Sequence, residues 1–95
     1  MDIADIKHDM NAEGSHWWDR DTMSFFGTKV SSQVYNGPGG VYFVTSDFTG
    51  FDRISRGYTI REYTPGGTVI TTVGGIADYP ILKNARDETK TLAKG

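Results

Sequence analysis

Two histidines, His8 and His16, stand among the carboxylates Asp9, Asp19 and Asp21, and these are the residue types a metal ion would take. A metal site needs its ligands fixed on one face, as histidines four apart on a helix provide. Here the spacing fixes nothing of the kind, so solvated or capping roles are expected and no metal is implied. Ser15, His16 and Asp19 supply the types of a nucleophilic triad, yet sequence neighbours rarely converge as one and no nucleophile-elbow turn surrounds the serine. No catalytic residue is assigned. Asn36-Gly37-Pro38-Gly39-Gly40 has the glycine content of a phosphate loop but lies between two strand-like runs, with no Lys-Ser/Thr and no helix after it; a hairpin turn is the better reading. Asp47 and Asp52 are too few and wrongly spaced for a calcium loop. The absence of cysteine excludes a disulfide scaffold, a cysteine zinc site and a thiol nucleophile. No cofactor is implied.

A binding surface is better supported than a catalytic one. If Val30, Val34, Val41, Phe43, Tyr58, Ile60 and Val69 face a C-terminal helix, strand alternation places Tyr35, Tyr42, Val44, Thr59, Arg61, Tyr63, Ile70 and Thr72 on the opposite side of the sheet. Tyrosine and arginine are common interface anchors, so Tyr35, Tyr42, Arg61 and Tyr63 form the candidate partner surface, bordered by Arg53 and Arg56 from a neighbouring loop. The competing expectation is that an N-terminal helix and Trp17/Trp18 cover that face, because those tryptophans must pack somewhere.

The elements that would position these residues follow from periodicity. Ile3, Ile6 and Met10 make a helical stripe within Asp2–Ala12, with Asp5 and Asp9 on the solvated side and Gly14 ending it. Asp19 suits the N-cap of a short helix from about Arg20 to Phe26, with Asp21 in its first turn, Gly27 as its C′ residue and Trp18 stapled to Met23. The period then changes to two. Thr28–Tyr35, Val41–Ser46, Tyr58–Tyr63 and Thr68–Val73 read as strands, joined by turns at 36–40 and 64–67 and by a longer connection at about 47–57. From about Pro80 onward Leu82, Ala85, Thr89 and Leu92 return to helical spacing, with Lys83, Arg86, Asp87 and Lys90 off that face; Lys90 and Lys94 suit the negative end of the helix dipole. The expected fold is α+β: a four-stranded antiparallel meander with short N-terminal helices and a C-terminal helix packed on one face.

The 95 residues fit one domain at 15–95, preceded by an acidic N-terminal arm or helix at 1–14. Hydrophobic residues make up only 37% of the chain, so a modest core must draw on its five Phe, five Tyr and two Trp. Trp18, Phe25 or Phe26, Phe43 and Tyr58 are the expected core aromatics. The net charge of −2 gives no electrostatic case for duplex nucleic acid, although residues 1–21 hold six acids and two bases and leave a mildly basic body. The N-terminus lacks the basic and apolar regions of a signal peptide, and no run is long enough to span a membrane, so a cytoplasmic protein without membrane partners is expected.

The run His16-Trp17-Trp18-Asp19-Arg20-Asp21-Thr22-Met23-Ser24-Phe25-Phe26-Gly27-Thr28-Lys29-Val30, followed by Tyr42-Phe43-Val44-Thr45-Ser46, Tyr58-Thr59-Ile60-Arg61 and Thr72-Val73-Gly74, resembles a family of small uncharacterised domains found in bacteria and their phages. The likeness covers about residues 15–93 and rests on the Asp-Thr-Met-x-Phe-Phe-Gly segment. It departs at Arg20, where the family pattern has proline, a change the first helical position tolerates. The resemblance implies phage or mobile-element origin and carries no activity. The expected function is a non-enzymatic binding protein that occupies a host macromolecule, a host protein foremost, as an inhibitor of a bacterial defence system would. The alternative is a single-stranded nucleic-acid or nucleotide binder that stacks bases on Tyr35, Tyr42 and Tyr63 beside Arg61. Oligomeric state is not legible in the sequence.

Overall fold

A computed structural model describes residues 2–19, 33–48, 55–66 and 70–95. Helix α1 spans Ile3–Ala12, strands β1 to β4 span Val34–Gly37, Gly40–Phe48, Arg56–Tyr63 and Ile70–Val73, and helix α2 spans Leu82–Lys94. The strands form one antiparallel sheet in the order β1-β2-β3-β4, with α2 against it, so the fold is α+β. The expected Arg20–Phe26 helix, the Trp18–Met23 staple, most of the expected first strand, Val30, Arg53 and Val69 lie outside the described residues.

Turn chemistry and chain-end charge set the element boundaries. Asp2 caps α1 by accepting from the Asp5 amide at 3.0 Å, and the Asp5 carboxylate accepts from the Asp2 amide at 3.0 Å. Gly14 follows the helix at φ +81°. β1 and β2 pair as far as Gly37 opposite Gly40, leaving Pro38-Gly39 as a two-residue turn. β2 and β3 run longer than their hydrophobic patterns, to Phe48 and from Arg56, so much of the expected connection at 47–57 is sheet. α2 begins at Leu82 with Ile81 at the N-cap, two residues beyond Pro80.

Cross-strand partners share a face, so the register fixes which side each residue occupies. Phe43 lies opposite Val34 and Arg61, and Tyr63 opposite Val41 and Ile70. That face carries α1: Ile6, Met10, Phe43, Tyr63 and Ile70 form one buried cluster, flanked by Ile3, Trp17, Trp18, Val34 and Val41. Tyr42 lies opposite Tyr35 and Glu62, and Val44 opposite Ile60. This second face carries α2, with Tyr42, Ile60 and Ala93 buried together beside Tyr35, Val73, Tyr79 and Leu92. Two sets of expectations are thereby corrected. Val34, Val41 and Phe43 face α1 rather than α2, and Tyr35, Tyr42 and Val44 face α2 rather than away from it.

The two helices reach the sheet differently. α1 inserts Ile6 and Met10, each fully buried, and such side chains contribute about 1.5–3 kcal/mol apiece relative to exposure. Asp9, expected in solvent, is half-buried and accepts from the Tyr63 hydroxyl and, at 2.8 Å, from the Gly66 amide. α2 instead presents the small residues Ala85, Thr89 and Ala93. Their size allows close approach: the Gly39 amide donates to the Ala93 carbonyl at 3.0 Å, and a Cβ on Gly37 or Gly39 would fall 2.0 Å from a carbonyl oxygen of α2.

Candidate functional site

The residues expected to form a single Tyr/Arg surface are divided between the two faces. Arg61 and Tyr63 lie under α1 and the tryptophans, at 2% and 1% exposure. Tyr42 is buried under α2, its hydroxyl donating to the Gly39 carbonyl at 3.0 Å, while Tyr35 is half-buried at the margin of α2. Glu62 beside the Tyr42 hydroxyl, with burial second, raises that phenol above its ordinary value. Arg56 is exposed and donates to the Ser46 carbonyl at 2.9 Å and to its hydroxyl at 3.2 Å. Cover by the N-terminal helix and Trp17/Trp18 is therefore what the α1 face shows.

Arg61 is the centre of a buried polar network. Its Nε donates to Thr45 Oγ1 at 3.0 Å, one Nη to Thr72 Oγ1 at 2.6 Å and the other to Asp47 Oδ1 at 3.3 Å. Thr45 Oγ1 in turn donates to Asp47 Oδ2 at 2.9 Å, and the guanidinium lies 5.4 Å from the Trp17 ring centroid. Burial lowers the Arg61 pKa and the Asp47 carboxylate opposes that shift; an arginine remains cationic in such a setting. With donors and acceptors turned on one another inside the protein, this cluster ties β2, β3 and β4 together beneath α1 and the tryptophans. The tryptophans seal it: Trp18 stacks 6.1 Å from Phe43 and donates to Met10 Sδ at 3.3 Å, and Lys7 lies 5.1 Å from the Trp18 ring centroid.

Outside this network, among the described residues, one histidine is paired with a carboxylate. His16 Nδ1 sits 3.0 Å from an Asp19 carboxylate oxygen, an exposed pair that is ionic only when the ring is protonated. Among the described residues no group of three or more His, Asp or Glu side chains converges as metal ligands. Asn36-Gly37-Pro38-Gly39-Gly40 forms a hairpin turn docked on the end of α2.

An open groove runs between β1 and α2. One part, about 510 Å³, is lined by Val34, Tyr35 and Pro38 on the sheet side and by Lys90, Ala93 and Lys94 on the helix. A second, about 430 Å³, shares Tyr35 and Lys90 with it and continues past Arg86 and Asp87 to Lys83 and Leu82. Among the described residues its walls carry four cations against one carboxylate. Lys83 and Asp87 pair at 2.7 Å; the hydrogen bond between them raises the lysine pKa and lowers the carboxyl. Arg86, Lys90 and Lys94 form no ion pair among the described residues. Ile81, 56% exposed, immediately precedes the Leu82–Lys83 end. Sequence reasoning placed Lys83, Arg86 and Lys90 on the outer side of α2 and Lys94 at its end; it could not show that β1 runs beside them, since that needs the docking of the helix.

Among the described residues the sheet, its two unlike coverings and the cationic groove make up an α+β fold with a buried polar centre and an open groove beside β1. The chain belongs to the family of unknown function DUF7447, which it matches over residues 2–90. That match takes in α1 as well as the sheet and most of α2. No curated protein and no solved structure matches the chain. No helix among the described residues is long and apolar enough to cross a membrane.

Proposed function

We propose that this is a non-enzymatic binding protein, encoded by a phage and working in the cytoplasm of the infected cell, that acts by occupying a host macromolecule. Inhibition of a bacterial defence system is the kind of role such a protein serves. The observation that supports the reading is the groove between β1 and α2, where Arg86, Lys90 and Lys94 stand without ion-pair partners among the described residues beside Tyr35 and Pro38. Convergent charge beside apolar surface suits recognition of a complementary partner. Affinity capture with the tagged chain from bacterial lysate is expected to return one macromolecule at near-stoichiometric yield; recovery of none contradicts the proposal.

A second reading is binding of single-stranded nucleic acid, and the placement of Tyr35 beside Lys90 in the groove favours it. Aromatic rings and cations are the two components such sites combine. Fluorescence polarisation with a labelled oligothymidylate at two salt concentrations tests it: binding that weakens steeply with salt supports it, and no signal removes it.

A further inference from the structure

From the spacing of the groove we infer its ligand class, resting on the proposal that the chain binds a macromolecule: an extended acidic polypeptide segment with carboxylates at alternate positions and apolar residues between them. Arg86, Lys90 and Lys94 recur every four residues on α2, which sets them about 6 Å apart at a rise of ~1.5 Å per residue. In an extended chain, alternate residues point the same way and lie about 6.6 Å apart. Carboxylates at every second residue therefore meet these three cations in step. The intervening side chains then turn away from α2, toward Tyr35 and Pro38 on the β1 side. From Lys83 to Lys94 the stripe spans about 16 Å, the length of roughly five extended residues. Ile81 lies at the Lys83 end and offers a further apolar contact there.

Nucleic acid fits the same groove less well. Sequence-tolerant strand binding stacks successive bases on aromatic rings, and among the described residues the groove holds a single ring, half-buried. Asp87 stands within the cationic stripe and already engages Lys83, so the cations left to meet an anion are Arg86, Lys90 and Lys94.

The test is fluorescence polarisation with a fluorescein-labelled peptide alternating Glu and Val, beside a Lys/Val peptide and an oligothymidylate. The acidic peptide is expected to bind and to weaken with added salt, with at least about a tenfold loss of affinity in Lys90→Glu and in Arg86→Glu, because reversal replaces attraction by repulsion at the contact. Lys90 is exposed and Arg86 half-buried at the groove, and circular dichroism checks that the fold is kept. No binding of the acidic peptide overturns the inference, as does equal binding by the charge-reversed variants or by the Lys/Val peptide. Oligothymidylate binding that is lost on charge reversal, without acidic-peptide binding, assigns the groove to nucleic acid instead. Lysate capture separates the two levels: a partner retained by both wild type and Lys90→Glu overturns the ligand assignment and leaves the binding function standing, whereas capture of nothing by wild type overturns that function.

Discussion

The two faces of the sheet are both covered, yet in opposite ways. On the α1 face large side chains fill the space: Ile6, Met10, Trp17 and Trp18 close over Phe43, Tyr63 and the Arg61–Asp47 pair. On the α2 face small side chains bring the helix down until Gly37 and Gly39 meet its carbonyls. Bulk covers the centre of one face, whereas on the other a closely approaching helix leaves a groove beside β1. The comparison teaches where a partner can act: of the expected anchors Arg61 and Tyr63 are covered on the α1 face and Tyr42 beneath α2, while Tyr35 and ordinary helix-surface cations line the open groove.

The sharpest way to break the contrast is to disturb the sealed side. Asp47→Ala leaves the buried Arg61 guanidinium without its counter-charge and is expected to cost about 3–5 kcal/mol in chemical denaturation. Replacing both partners, as Asp47→Leu with Arg61→Met, should recover most of that loss, since the penalty lies in the unpaired charge. A double variant as unstable as Asp47→Ala contradicts the assignment. On the α2 face Gly39→Ala is expected to cost about 3 kcal/mol, because its Cβ would collide with the Leu92 carbonyl and push the helix off the turn. Unchanged stability there would mean that the helix end does not hold this approach.

Smaller effects sharpen the picture. Asp9→Ala removes the acceptor for the Tyr63 hydroxyl and the Gly66 amide and should cost about 1–2 kcal/mol by thermal melting, less when Tyr63→Phe accompanies it. The smallest change is expected at the exposed Lys83–Asp87 pair on the groove. The Asp87 carboxyl is lowered in the folded protein, so its contribution is present above its ordinary pKa of 3.8 and fades as pH falls through the lowered value. Lys83 is raised, so its contribution is present below its ordinary pKa of 10.5 and is lost as pH rises through the raised value. Melting of Asp87→Asn should match wild type at low pH and fall slightly below it at neutral pH; a large loss at neutral pH would show that the pair is structural.

Much of the fold was legible because its signals are local. Ile3, Ile6 and Met10 recur at helical spacing, the strands alternate, and Gly37-Pro38-Gly39 carries its own turn chemistry. The division of faces was not, because it depends on register: Phe43 stands opposite Arg61, and reading Tyr42 onto the face of Arg61 is a slip of one residue across β2 and β3. Arg61 itself looked like a surface residue because its partner Asp47 sat in a stretch read as loop, whereas β2 extends to Phe48. The groove escaped for a related reason. Its cations were recognisable on the outer side of α2, but only the docking of the Gly37-Pro38-Gly39 turn brings β1 alongside them.

The central claim, that the flank between β1 and α2 recognises an acidic segment while the α1 face stays closed, is tested most directly by following amide and indole proton NMR signals as the Glu/Val peptide is added. The account predicts shifts at Tyr35, Arg86, Lys90 and Lys94, with the Trp17 and Trp18 indole signals unmoved. Shifts concentrated at the two indoles with the α2 amides unchanged would contradict it.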